Sequence, residues 1–238
     1  MPADPIAIDA EARIAALPER AGNRFLDGLR SSPKGITGGL ILAFMLVVAA
    51  FGPAMAPHDP AFQVVANRFH PPAWLEGGDW SFVLGGDNLG RDIFSRVLVG
   101  TQLSIALGLA VVVTAMVTGS LIGAIAGYFG GIVDSIIMRI VDFQLSFPFI
   151  LLAIGSMAVL GPGLWSTFLA LSIAIWVNYA RLVRGEALKL RDLEYIQAAR
   201  CIGAGHTAIV LKHILPNVLP TIIVMATLDI AWVIIFEA

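Results

Sequence analysis

The sequence predicts an all-α polytopic membrane protein with five transmembrane helices. Three observations carry that prediction. Of 238 residues, 58% are hydrophobic and 13% charged, against about 45–50% and about 25% in ordinary soluble domains, and the mean hydropathy is +0.84. Acidic and basic residues are missing altogether from several long intervals. Within those intervals, runs such as Leu109 to Val113 are continuously apolar, without the period-two alternation of a barrel strand. So little charge cannot clothe a water-soluble body of this size. Lipid satisfies no exposed backbone group, so a spanning segment is a helix or part of a closed barrel, and the patterning selects helices.

The elements follow from the apolar intervals, because a span needs roughly 20 apolar residues. Residues 1–35 form a polar tail, and 36–56 form the first span inside the charge-free interval Gly35 to His58. Ala54-Met55-Ala56 looks like a signal-peptide cleavage site, but a long mixed-charge segment precedes it, so the span is expected to be retained. Residues 57–100 are a loop, and 101–238 hold the remaining four helices. The second span lies in Val97 to Val133. The interval from Gln144 to Ala180 has 37 residues, which at about 1.5 Å each is too long for one helix across the bilayer. Gly161-Pro162-Gly163 divides it into a span ending near Leu160 and another beginning near Leu164. The fifth runs from about Asn217 to Phe236 and contains Asp229. Pro53, Pro148 and Pro220 are expected to kink the spans they touch.

Basic residues set the expected orientation. Twelve of the fifteen fall in the tail (Arg13, Arg20, Arg24, Arg30, Lys34), at Arg139, and between spans four and five (Arg181, Arg184, Lys189, Arg191, Arg200, Lys212). These segments alternate onto one side, expected to be cytoplasmic, with the N-terminus there. The loop 57–100 is then extracytoplasmic. A net charge of -2 leaves no basic excess for nucleic acid.

Several motifs point to no chemistry. Gly85 to Asp92 mimics a phosphate-binding loop, but Arg91 and Asp92 stand where lysine and a hydroxyl are needed. It reads as a polar turn leading into a helix, and the chain is not expected to hydrolyse nucleotide. Gly203 to Ala208 matches a dinucleotide fingerprint without the preceding strand. Cys201, His206 and His213 lack metal-ligand spacing, as do His58 and His70. No catalytic constellation, metal site or cofactor is expected.

Two features invite more. Gly119, Gly123 and Gly127 recur every fourth residue, following Ala115, and mark one helix face where another backbone can approach closely. Asp229 is an acid inside a span, either on a substrate path or paired with a neighbour.

The segment after span four is the most informative. Asp192 is expected to cap a short helix that Gly203 ends, with Leu193, Ile196, Ala199 and Ile202 along one weakly apolar face and small Ala198 and Ala199 exposed. A second short helix from Thr207 to Ile214 is expected to end at Leu215-Pro216. By itself, the pair is either a joining loop or a rigid knob for a partner's groove.

These residues resemble the EAA signature of ABC-importer permeases, E-A-A, three residues, G, nine residues, I, one residue, L-P. Gln197-Ala198-Ala199, Gly203 and Leu215-Pro216 match its spacing, with Gln197 in place of the acid and His213 in place of the isoleucine. Ala56 to Pro60, Leu84 to Arg96, Gly130 to Arg139 and Phe147-Pro148 are similar to dipeptide/oligopeptide/nickel-type permeases. The resemblance implies a type I ABC importer permease-like bundle in the cell inner membrane, with a coupling loop at 183–216 engaging ABC ATPase subunits. It also implies a second permease subunit and an extracytoplasmic binding protein, with di- or oligopeptides, nickel or another small solute as cargo. Such permeases usually have six spans, and a final helix would follow Glu237-Ala238. The competing class is a membrane enzyme or ion channel using Asp229.

Overall fold

The computed structural model describes residues 32–237, so most of the tail assigned to 1–35 lies outside the described residues, as does Ala238. The chain divides into two compact units, residues 1–98 and 99–238.

The first unit opens with α1 (Pro33–Met55). Ser32 caps it by accepting a hydrogen bond from the Gly35 amide at 3.3 Å, and Pro33 occupies the first turn, where its missing N–H costs nothing. Apart from Val48 and Gly52, α1 is almost wholly unburied within the chain. Gly52 lies against the start of α2 (Ile93–Phe129), where an added Cβ would stand 2.6 Å from the Leu98 carbonyl oxygen.

Between them, the regular structure of residues 56–92 is a 3₁₀ turn, Val65–Asn67, and an isolated bridge between Gly86 and Asp92, and a polar turn precedes α2. Asp87 accepts from the amides of Leu89 (2.8 Å) and Arg91 (3.0 Å), from Arg91 Nε (2.8 Å) and from Arg96. Gly90, at φ +75°, packs so closely on Val64 that any side chain there would overlap its carbonyl. Asp92 then starts α2, accepting from the Phe94 and Ser95 amides and from the Ser95 hydroxyl at 2.6 Å. Burial in general favours the neutral form of a carboxyl group. At Asp87 burial does oppose the charge, but the Arg91 and Leu89 amides and the Arg91 guanidinium outweigh it, holding the carboxyl well below the usual range.

The second unit is a helical bundle built on α2, α3 (Gly131–Leu145), α4 (Phe149–Leu160) and α5 (Leu164–Leu190). A short helix α6 (Glu194–Cys201) follows, then α7 (His206–Ile209), a π turn at Val210–Ile214 and α8 (Leu215–Glu237). Among the described residues, four helical stretches are long and apolar enough to cross a membrane, and the bent pair α3–α4, counted as one span, brings the number to five.

Three local readings change. The third span, expected to kink at Pro148, is broken there outright and begins well before Gln144: α3 and α4 meet at 92°. Pro148 supplies no amide to continue α3 and disfavours helical backbone at Phe147, and α4 alone has 12 residues, about 18 Å at 1.5 Å each. Leu193, not Asp192, holds the N-cap position of α6, and no side chain caps it. Nor does the helix after His206 end at Leu215-Pro216. It runs on as a 32-residue stretch to Glu237. The π turn widens the backbone ahead of Pro216, where a tight α turn would press the ring against the carbonyl four residues back.

The core of the bundle lies where α2 meets α5 and α8: Val111, Val112, Ala115 and Ala124 pack with Ile175, Tyr179, Val183, Val218 and Ile222. Along this contact an added Cβ at Gly119 would strike the Trp176 carbonyl, and one at Gly123 would strike that of Ala180. At Gly127 it would stand 2.7 Å from both Ala187 Cβ and the Arg184 carbonyl. Lipid is as apolar as leucine, so helices associate by close packing rather than by escape from solvent.

Two outcomes follow. Gly123→Ala is expected to lower the thermal midpoint of the detergent-solubilised chain, with an overpacking cost of about 1–3 kcal/mol. Gly100→Ala, where nothing lies within 4 Å, is expected to raise it, with a gain in stability of up to about 1 kcal/mol from helix propensity. The depressed Asp87 carboxyl contributes stability that is complete above its ordinary value of 3.8 and lost as pH falls through its lower folded-state value. Hydrogen exchange over residues 64–92, corrected for intrinsic rates, is therefore expected to accelerate only in strong acid. Asp87→Asn should exchange faster already at neutral pH and lose that acid step.

Candidate functional site: the segment between α5 and α8

The segment leaving α5 is anchored before it turns. Arg184 donates two hydrogen bonds to the Asp134 carboxylate in the first turn of α3, at 2.7 and 2.6 Å, the bidentate geometry that fixes orientation as well as distance. One turn beyond Leu188, Arg191 Nη1 donates to the Gly127 carbonyl at 3.1 Å. The end of α5 is thereby tied to both α2 and α3.

Helix α6 has one inward edge. Ile196 is fully buried and Ala199 is 8% exposed, so Ala199 turns to the core and is not exposed beside Ala198 as its composition suggests. Positions three apart share a helix face, and Ile196 already points inward. Gln197 and Ala198 are on the exposed side, and the Gln197 side-chain amide donates to the Asp192 carbonyl at 3.1 Å. Ile202, expected on the apolar face, is instead 86% exposed, because the chain has left helical geometry there.

Gly203 makes that exit possible. Its φ is +86°, its amide donates to the Arg200 carbonyl and the Ala204 amide donates to the Ala199 carbonyl, each at 3.0 Å. This is the Schellman pattern, and a left-handed backbone at the residue after the cap is the reason for glycine. Gly205 restarts the chain into α7 with ordinary backbone.

The segment is not a detachable loop. Ile196, Ile209, Val210 and Ile214 belong to the same buried cluster as Tyr128, Val183 and Ala187. At the end of α2, Tyr128 is 5% exposed. Its hydroxyl lies 2.7 Å from His206 Nδ1 and its ring 4.8 Å below the Arg200 guanidinium. Leu215 is half-buried and Pro216 exposed at the head of α8, and Asn217 bridges to the His213 carbonyl at 2.6 Å.

The other named residues lie elsewhere. Gly119, Gly123 and Gly127 line the α2–α5 contact. Asp229 sits in α8 facing Tyr179 of α5 closely enough for their charges and dipoles to interact. Neither the tyrosine hydroxyl nor the second carboxylate oxygen has a hydrogen-bond partner of good geometry. Among the described residues, no cluster of three histidine, cysteine or acidic side chains could hold a metal. Tyr128 carries no mark in the sequence, and Asp134 and Arg191, which lie in the family-like run and among the orienting basic residues, give no sign there of their partners, which lie 50 or more positions away.

Residues 119–238 match the family described as the binding-protein-dependent transport system inner membrane component. Residues 22–72 match the N-terminal TM domain of oligopeptide transport permease C. Over 210 residues the chain is 43% identical to a probable D,D-dipeptide transport system permease protein of Escherichia coli K12, covering 88% of this chain and 68% of that one. It is 39% identical to a di/tripeptide transport system permease protein of Pseudomonas aeruginosa (82% and 65% covered). It is 43% identical to a glutathione transport system permease protein of Shigella flexneri (91% and 70% covered). The chain spans about two thirds of the length of these relatives. It belongs to the binding-protein-dependent transport permease family and is a membrane-spanning component of that kind.

Gly203 and Gly205 both face open space, so backbone alone separates them. Gly203→Ala is expected to cost about 1–2 kcal/mol for its left-handed conformation and to speed hydrogen exchange at residues 203 and 204. Gly205→Ala should leave those amides unchanged.

Proposed function

We propose that this chain is a permease subunit of an ATP-driven peptide importer, and that the segment from α6 to the π turn receives the ATPase subunits. The carrying observation is the construction of that segment: an exposed turn at Ile202–Gly203 on a base whose isoleucines are part of the bundle core. A loop that merely joined two spans would gain nothing from such a base. A handle must not bend at its root. Gln197, Ala198, Ala199, Gly203, Leu215 and Pro216 are the coupling residues in this reading. Gln197 and Ala198 form the contact surface, Ala199 and Leu215 tie it to the core, and Gly203 and Pro216 shape the turns.

The basic residues support a cytoplasmic N-terminus and coupling segment, with residues 57–100 outside, where a binding protein delivers cargo. A second permease subunit completes the path. The peptide-transport names of the relatives support di- or oligopeptides as cargo, ahead of nickel or another small solute. Gly119, Gly123 and Gly127 serve the path indirectly, by holding α2 rigidly to α5. Asp229 is assigned to the path as an acid whose buried second oxygen is free to take a passing polar group when the bundle opens. Coupling on this view is mechanical: the ATPases hold the handle differently in each nucleotide state, and only that difference can move the bundle.

Purification from the native host in mild detergent tests the reading: the chain should bring an ABC ATPase with it. Ile202→Glu should abolish that association without changing the thermal midpoint, because the side chain touches little within the chain. Purified chain that hydrolyses ATP alone, or an association indifferent to Ile202→Glu, would overturn it.

A further inference from the structure

Three features of the coupling segment converge on one side chain that the family signature does not contain. Tyr128, in the last turn of α2, touches both arms of the segment. Its ring lies under Arg200, in the last turn of α6, at 4.8 Å. Its hydroxyl meets Nδ1 of His206, the first residue of α7, at 2.7 Å. Phe129 adds a second ring against His206, with centroids 5.6 Å apart. The Gly203 turn lies between these two arms, so the tyrosine spans the base of the turn that the coupling reading exposes to the ATPases.

We propose that Tyr128 is the positioning residue through which displacement of the coupling segment reaches α2. The inference rests on the coupling role assigned above. The other anchors do a different task. Arg184–Asp134 and Arg191–Gly127 bind α5, its neighbours and the root of the segment to one another, upstream of the turn. Tyr128 alone among these groups contacts residues on both sides of the turn.

Its contacts suit transmission. The phenol–imidazole bond is directional and short, so a shift of α7 along its axis is felt at the hydroxyl. The Arg200 contact is a cation over a ring face, attractive over a range of lateral positions, and lets α6 slide. A pull on the turn is therefore delivered through His206 while Arg200 keeps the ring seated. The ring is 5% exposed, packed in the core cluster with Val183 and Ala187, and cannot swing away to absorb the movement.

The receiving end is a groove of about 200 Å³ between α2 and α8, lined by Met116, Val117, Ser120, Leu121, Leu215, Leu219 and Ile222. The Ser120 hydroxyl there is buried without a hydrogen-bond partner. Because both helices line it, movement of α2 against α8 alters this groove.

Two thiol reporters in the assembled transporter separate docking from transmission. Cys201 is the chain's one cysteine and is exposed on α6, so its protection from maleimide reports whether ATPases grip the segment. Val117→Cys, in a Cys201→Ser background, reports the groove. With the native residue at 128, ATP plus vanadate is expected to change the labelling rate at both sites by about tenfold, within the usual range of allosteric coupling. Tyr128→Phe keeps the ring over Arg200 but removes the hydroxyl. It should leave Cys201 protection intact and cut the response at position 117 to less than about twofold. His206→Phe should do the same, and the double variant should be no worse, because the two groups act as one unit. His206→Gln, which keeps a polar partner for the phenol, should restore most of the response. A position-117 response that survives Tyr128→Phe overturns the proposal. Loss of both responses overturns it too, making Tyr128 a determinant of the docking surface. Absence of nucleotide-dependent protection at Cys201 with the native residue at 128 would instead remove the coupling reading itself.

Discussion

The bundle depends on how closely two backbones can run. Where α2 crosses α5, Gly119, Gly123 and Gly127 leave no room even for a methyl group between the α2 backbone and the Trp176, Ala180 and Arg184 carbonyls. In lipid, contact of this kind is what distinguishes a bound helix from a free one, since apolar side chains gain little by leaving apolar solvent. Once the two helices are pressed together, Tyr179, Val183 and Ala187 are placed in the core and Tyr128 is carried to the far end of the seam.

That end is where polar chemistry takes over. The Gly127 carbonyl, the last member of the glycine series, accepts from Arg191, and the next residue is Tyr128. Close packing and directed hydrogen bonding thus meet within one helical turn. The bidentate Arg184–Asp134 pair adds α3 to the same junction. Its carboxylate lies in the first turn of α3, where the helix dipole favours negative charge. The segment beyond α5 therefore leaves a fixed point, and what it does at its exposed turn is referred to that point.

The first unit solves a different problem. Residues 56–92 have almost no regular structure, yet they carry buried polar groups that must be satisfied. Asp87 and Asp92 do this for the turn that precedes α2, one gathering two amides and two arginines, the other closing the helix start. The resemblance of Gly85–Asp92 to a phosphate loop has a physical root. Both need glycines so that backbone amides can converge on anionic oxygen, here supplied by the chain's own carboxylate.

The sequence by itself determined the solvent, because composition and charge-free length are sums over residues and need no partners. It also determined the helical class, the division at Gly161–Gly163 and the family, since the family signature is a matter of short-range spacing. Only tertiary structure decided how those pieces close. Pro148 and Pro216 mark where the chain is disturbed, but the 92° size of the α3–α4 break, the helix running on through Pro216 and the inward face of Ala199 are not contained in the spacing. Tyr128 was invisible for the same reason: its identity is ordinary, and its importance comes from His206, 78 residues away. Spacing along a chain records which residues share a helix face. It does not record which other face is pressed against them.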